Sequence, residues 1–457
     1  MNRKFHARDA LLPNGWAADV TIEVDPAGVI RGVRVAESVG DAEILAGPVV
    51  PAMANVHSHA FQRALAGRTG HSMPEESDTF WTWRRAMYAF LGKMDADAFG
   101  DIAAQAYVEM AKAGYATVAE FHYVHHDAAG KPYADEAELA QRVIAAAEEA
   151  GLGLTLLPVF YAHAGFNGVA PTPDQRRFVH TPASYASLVQ KLSSIARDRD
   201  IVVGIAPHSL RAVTAEELGH LVRLAPPGAP LHIHAAEQTR EVDECYAWSR
   251  MRPVEWLLTQ ASVDAQWCIV HATHMTDREV SGLARSGAVA GLAPTTEADL
   301  GDGIFPGESY LAAGGSIAVG SDSNTIIDPF AELRQLEWSQ RLRLRRRNVL
   351  ARRADMSIGS ALWLRALAGG AQALARNTGA IAEGRRADWI VLNGDDPALV
   401  AQAPADVLDA AIFGPCRRPV RDVMSGGRWI VREGVHAREA AVLARFRDAL
   451  ARLASVE

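Results

Sequence analysis

The strongest constraint on this chain is an alternation. From residue 49 to residue 322, short apolar runs take turns with longer amphipathic stretches, as in repeated β-α units around a parallel sheet. Eight such runs can be counted, at 49–59, 115–122, 153–161, 201–208, 230–236, 267–271, 288–293 and 316–322. The stretches between them, such as AELAQRVIAAAEEAG, SYASLVQKLSSIARD and TAEELGHLVRLA, repeat their apolar residues every 3.6 positions and carry Ser, Thr or acidic residues near their starts. Eight strands alternating with helices predict an α/β fold, the (β/α)8 TIM barrel, with the helices as its outer ring.

The two ends read differently. VTIEV, GVIRGVRV and AEILAG precede the barrel, and ADWIVLNG and VMSGGRWIVREGVH follow residue 378, all short β-like segments closed by Gly, Pro or Asp. The opening piece is too small to fold alone, so the ends are expected to pair. A chain of 457 residues suits one large barrel plus a smaller attached unit. The expected division is 1–48, 49–377 and 378–457, the last ending in a helix.

Composition narrows the function classes. The 49% hydrophobic and 22% charged residues are those of an ordinary globular protein, and the net charge of −8 argues against a general nucleic-acid or anionic-membrane surface. An anionic small molecule must therefore be met by particular arginines. The basic run RLRLRRRNVLARR, 341–353, reads as a solvated helix face or an oligomer contact, and a homodimer is expected. Cys245, Cys268 and Cys416 are too few and too scattered for a disulfide framework. With no apolar run of 18 residues and no signal-like N-terminus, a soluble cytoplasmic protein is expected.

Chemistry-bearing residues gather at the ends of the expected strands, where the β-α loops of a barrel converge. His57 and His59 share a strand face, so both imidazoles can reach one metal ion or simply bond to each other. HIHAAE offers His234 as a nitrogen ligand and Glu237 as an acid/base in the loop beyond, with His232 one layer deeper as a packing residue. His271 in CIVHATH, Asp322 in IAVGSDS and His208 in APHSLRAV complete the set. Any one of them could be structural. Jointly they meet at one rim only if the barrel is correct, so fold and site support each other.

These stretches carry a resemblance. PAMANVHSHAFQRALAG, HIHAAE, VHATH, GSDS and GRRADWIVLN together resemble the amidohydrolase superfamily over nearly the whole chain. The resemblance implies a barrel flanked by a small β-sandwich from both termini. Binuclear members of that superfamily bridge two metals with a carboxylated lysine ending strand four; IVVGIAPHS has none, and the last lysine of the chain is Lys191. One metal per chain is expected, zinc by default and Fe2+ as the alternative, with His57, His59, His234 and Asp322 as ligands.

Longer strings narrow the subclass. SDTFWTWRRAMY, AGYATVAEFHYVHHD, LTLLPVFYAHAGF, HSLRAV and TTEADLGDGIFP are similar to the formimidoylglutamate deiminase family, with Ala52 in place of a usual glycine and Asp299 in place of a usual asparagine. That resemblance implies hydrolysis of N-formimino-L-glutamate to N-formyl-L-glutamate and ammonia, with Gln62, Arg84, Tyr123, His208 and Arg211 at the substrate. The chemistry is consistent: zinc brings the pKa of the water it binds to about 7. Asp322 or His271 then accepts the water proton while Glu237 serves the departing nitrogen. Arg84 and Arg211 can each grip one carboxylate through a bidentate fork, although either Arg84 or Arg85 could be the one facing inward. A ring aminohydrolase of the guanine or triazine type and a catalytically silent scaffold are the alternatives. The arginines disfavour a neutral ring, and no ligand is missing as a silent scaffold would require.

Overall fold

The computed structural model describes residues 1–36, 39–70, 79–351 and 356–455. The chain opens with β1 (Arg3–Leu12) and β2 (Gly15–Val24), an antiparallel hairpin extended on one side by β3 (Ile30–Arg34). On its other side β1 takes β4 (Glu43–Ile44) and β5 (Val49–Pro51), both parallel to it.

The barrel follows. Its strands are β6 (Met53–Ser58), β7 (Tyr115–His122), β8 (Gly153–Phe160), the pair β9 (Ile201–Val203) and β10 (Ala206–Pro207), β11 (Leu231–Ala235), β12 (Trp267–His271), β13 (Val289–Leu292) and β14 (Ser316–Val319). All neighbours run parallel. Two arcs of ladder are joined by the bridges Ile205 to Leu231 and Ser209 to His234 at one seam and Ser58 to Asp322 at the other. At that second seam Asp322 N donates to His57 O and His59 N to Asp322 O, both at 2.9 Å, so closing the ring also brings three site residues together. Strands such as β7 and β8 are buried at every position because helices cover one face and the barrel interior the other. That is why they read as continuous apolar runs.

The helices start where the sequence signals them. Thr181, Thr214 and Thr276 each cap the helix that follows, accepting from the backbone N–H three residues on. Beyond the barrel, β15 (Trp389–Leu392), β16 (Val420–Ser425), β17 (Arg428–Arg432) and β18 (Val435–His436) complete a nine-stranded sheet ordered β18-β17-β16-β15-β5-β1-β2-β3, with β4 beside β1. Strand β15 lies antiparallel to β5, pairing Trp389 with Pro51 and Val391 with Val49. Phe5, Val20, Ile22, Ile30, Trp389 and Met424 form the separate apolar core of this sheet. The final helix, Glu439–Ser455, lies against the helix Ala96–Ala113, where Arg445 Nε meets Asp101 at 3.0 Å.

Two expected runs are divided. Run 49–59 contains β5 and β6, which belong to different sheets: Ala52 N donates to Asp388 O and Met53 N to Gly114 O as the chain crosses over. Run 201–208 breaks at Gly204, where a Cβ would come within 2.6 Å of both Leu157 and the Pro230 carbonyl. Unbroken apolarity hides both interruptions. Much of the basic run caps the helix Pro329–Leu344, with Arg341 paired to Glu337 at 2.7 Å and Arg346 to Glu308, while Arg352 and Arg353 lie outside the described residues. Among the described residues no helix is long and apolar enough to cross a membrane.

Candidate active site

His57 and His59, at the end of β6, point the same way because alternate strand residues share a face. The His57 Nε2 atom lies 3.2 Å from His59 Nε2 and 3.0 Å from His234 Nε2, the latter projecting from β11. The tautomers follow from the other ring nitrogens. His59 Nδ1 is 3.0 Å from the Phe121 carbonyl and His234 Nδ1 is 2.9 Å from the His208 carbonyl; a carbonyl only accepts, so each Nδ1 carries the proton and each Nε2 presents a lone pair. Facing lone pairs repel unless a cation lies between them. Burial keeps the three rings neutral, holding His59 near about 3 and His57 and His234 well below the usual imidazole range, and the neutral form is the one that ligates. These three residues form a group able to hold a metal ion.

Asp322 stands beside them, with Oδ1 3.5 Å from His59 Nε2 and 3.7 Å from His57 Nε2. Its other oxygen is 3.8 Å from His271 Nε2, which is in turn 3.7 Å from Glu237 Oε1. Burial raises the Asp322 carboxyl to about 7, partly offset by His271. Burial alone would lower His271, but Glu237, a hydrogen bond to Glu297 and Asp322 outweigh it and raise the imidazole to about 10. Both residues have a left-handed backbone, with φ of 68° at His271 and 42° at Asp322. Such strain costs on the order of 1–3 kcal/mol at a residue and persists where surrounding structure enforces it, commonly at functional sites.

Above this group a cavity of roughly 540 Å³, open solvent included, is lined by His59, His234, Glu237, His271 and Asp322 on its floor. Its wall carries Gln62, Arg84, Tyr123, His208 and Arg211, all five of the residues expected to meet substrate. Of the expected residues only His57 is absent from the lining, being fully buried beneath. Arg84 faces the cavity while Arg85 is exposed, because the helix Phe80–Leu91 turns Phe80, Arg84 and Met87 inward. Gln62 donates to the Tyr123 hydroxyl at 3.0 Å and leaves its own buried Oε1 without a partner. Arg211 is 6% exposed and its Nη1 has no hydrogen-bond partner. His232 lies deeper, 2.7 Å from the Ala373 carbonyl.

Several functional neighbours escape a reading of the sequence. Glu297 accepts from His271 Nδ1 at 3.3 Å, and Glu241 accepts the backbone N–H of Ala236 at 3.1 Å and of Glu237 at 3.2 Å, fixing the loop that carries Glu237. Asp302 accepts from Gln238, and His274 Nε2 lies 2.7 Å from its carbonyl oxygen. Asn55 Nδ2 donates to Ser321 Oγ at 2.6 Å and Asn324 Nδ2 to the His59 carbonyl at 3.0 Å, tying the first and last strands behind the histidines. Asp299, by contrast, is exposed.

With three convergent imidazoles, an adjoining carboxylate and a cavity above them in place, comparison with known proteins decides the family. Residues 49–430 match the Amidohydrolase family. The chain belongs to that family. Residues 3–44 also match the N-terminal domain of formimidoylglutamate deiminase HutF. A formimidoylglutamate deiminase of Pseudomonas aeruginosa is 49% identical over 95% of both chains. An amidohydrolase structure from Brucella melitensis superimposes with a TM-score of 0.95 at 45% identity, covering 99% of this chain and 100% of its own. A less similar structure shares the fold: an adenosine deaminase from Xanthomonas campestris with bound zinc reaches a TM-score of 0.81 at 20% identity, covering 99% of this chain and 98% of its own. As an amidohydrolase, the chain is a hydrolase with a barrel-mouth site suited to a metal.

Proposed function

We propose that this amidohydrolase converts N-formimino-L-glutamate and water to N-formyl-L-glutamate and ammonia, using one zinc ion per chain held by His57, His59, His234 and Asp322. The observation that carries the substrate reading is Arg211, a buried guanidinium whose Nη1 is unpartnered and which lines the same cavity as the three histidines. Buried Glu241 and Glu237 favour its charge but leave the Nη1 donor unspent, and a substrate carboxylate takes up such a donor through a bidentate fork. The 49% identity to the Pseudomonas deiminase supports the same choice. Three neutral imidazoles with one carboxylate are a donor set suited to zinc.

When bound, zinc supplies Lewis acidity that makes water nucleophilic near neutral pH. The residues do the rest. Arg84 and Arg211 take the two carboxylates, with Gln62, Tyr123 and His208 completing the grip, and the formimino carbon is thereby held over the histidines. As the water oxygen bonds to that carbon, Asp322 accepts its proton, while His271, kept protonated by its acidic neighbours, lies 3.8 Å away. Glu237, 3.7 Å from His271, relays that proton to the terminal nitrogen, the carbon–nitrogen bond breaks and ammonia leaves, and Asp322 takes the remaining hydroxyl proton as the formyl carbonyl forms. The barrel that begins at β6 carries this chemistry, braced by the terminal sheet into which β5 is built. Trp338 and Leu342, 42% and 80% exposed one turn apart on the helix Pro329–Leu344, offer an apolar contact for the proposed homodimer.

The test combines elemental analysis with ammonia release from three compounds. About one zinc per chain, rapid turnover of N-formimino-L-glutamate, slow turnover of N-formiminoglycine and none of guanine is the expected result. Two tightly bound metals per active chain would end the mononuclear reading. Preference for guanine or a triazine would favour the ring aminohydrolase instead.

A further inference from the structure

The helix Phe80–Leu91 places Trp81, Arg84 and Tyr88 three and seven residues apart, on one face. The Arg84 guanidinium carbon lies 4.5 Å from the centre of the Trp81 ring and 5.7 Å from that of Tyr88. Arg211, which follows β10, reaches the same indole at 5.8 Å, and Arg240, on the helix Thr239–Ser249, reaches it at 4.5 Å. Three cations from three segments of the barrel rim thus converge on one half-buried tryptophan.

They are not held alike. Arg240 is paired with Glu244 at 2.7 Å and is largely exposed. Among the described residues, Arg84 and Arg211 have no carboxylate within 4 Å. Two like charges at the wall of a partly desolvated cavity repel each other, so something must hold both there. A carboxylate could, but it would neutralise them and occupy the N–H groups a substrate needs. An aromatic face attracts a guanidinium through its quadrupole and leaves the in-plane donors unused.

Resting on the dianionic-substrate reading above, we propose that Trp81 is a positioning residue: it holds the Arg84 and Arg211 guanidinium groups at the cavity wall, with their donors unspent, before the substrate arrives. The indole touches no reacting atom. Its contribution belongs to binding of the dianion, and Arg240, 4.5 Å from the same ring centre, links the helix Phe80–Leu91 to the helix that follows Glu237.

The test compares Trp81→Leu, which removes the aromatic face, with Trp81→Phe, which keeps one, on N-formimino-L-glutamate and N-formiminoglycine. The wild-type protein is assayed first; if it fails on N-formimino-L-glutamate, the functional reading falls rather than this proposal. Expected for Trp81→Leu is a KM for N-formimino-L-glutamate raised about 3- to 30-fold, the range for loss of such contacts. Its kcat, zinc content and melting temperature stay near wild type, N-formiminoglycine loses less, and Trp81→Phe recovers most of the KM. An unchanged KM in Trp81→Leu overturns the proposal. So does an equal loss for both substrates, or a Phe variant no better than Leu, each of which marks simple packing. Should Trp81→Leu fail to fold, Trp81→Phe is read alone on the substrate pair: a selective rise in KM for the dianion supports the proposal, and an equal change refutes it.

Discussion

The two ends of the barrel strands treat buried charge in opposite ways. Near their starts, Arg376 and Arg386 share Asp200, and Arg386 also pairs with Asp388. Asp388 further accepts from Thr378 at 2.5 Å and from Gly426 N at 2.8 Å, while Arg386 donates to Ser425 Oγ at 3.0 Å. Arg376 Nε is the one atom of this group left over. At the other end, His57 Nδ1, Gln62 Oε1, Arg211 Nη1 and Asp302 Oδ2 are all buried and unpartnered. Nearly complete satisfaction marks a joint, here between barrel and terminal sheet. Of the four unpartnered groups, Gln62 and Arg211 line the cavity, and their free donor and acceptor mark a place where a ligand completes the bonding.

That contrast can be broken by mutation. Asp388→Ala removes one partner of the closed network and should destabilise the fold by about 3–5 kcal/mol in urea unfolding, with kcat of the folded enzyme unchanged. A lowered kcat at full folding would mean that the joint also serves the chemistry. Arg211→Met, at the open end, should do the reverse. It should lower kcat/KM for the dianionic substrate by a factor corresponding to about 2–5 kcal/mol and leave the melting temperature near wild type, because the guanidinium makes no hydrogen bond that holds the fold together. A cooperative loss of stability would place Arg211 among structural residues.

Glu237→Gln keeps shape and hydrogen bonding but not the proton, so turnover should fall roughly a hundredfold with metal content unchanged. Equal turnover would remove Glu237 from the mechanism. The smallest effect concerns a third region, the histidines His122 and His180 beside the cavity, whose buried rings are lowered to about 3 against about 6.5 unfolded. The unfolded chain then binds more protons between those values, so stability is full above pH 6.5 and falls as pH drops. At pH 5 the loss is about 2 kcal/mol for each. Unfolding midpoints that do not move between pH 7 and pH 5 would contradict this.

What could be read in advance follows the range of the interactions. The histidine pair of β6, the HIHAAE turn and the ends of β12 and β14 were legible because a strand's two-residue period places such residues locally. Once the barrel was inferred, they had to meet. Glu297, Glu241 and Asp302 were not legible, since an acidic residue in a loop looks solvated until its partner across the rim is known. The same holds for Trp81, whose three arginines come from separate segments. The crossing at Ala52 was hidden for another reason: β5 and β6 are both fully buried, so apolarity runs unbroken from one sheet into the next.

The insertion of β15 beside β5 has a consequence for biosynthesis. When β5 emerges from the ribosome, the strand that will flank it is still roughly 340 residues away, about 20 to 70 s at ordinary elongation rates. Throughout that interval the nascent chain presents an unprotected edge of β5, and the apolar core behind it lacks Trp389 and Met424. The barrel can begin to assemble while its brace stands open, so a ribosome stalled before Trp389 leaves a product whose barrel is largely synthesised but whose first sheet has a sticky side.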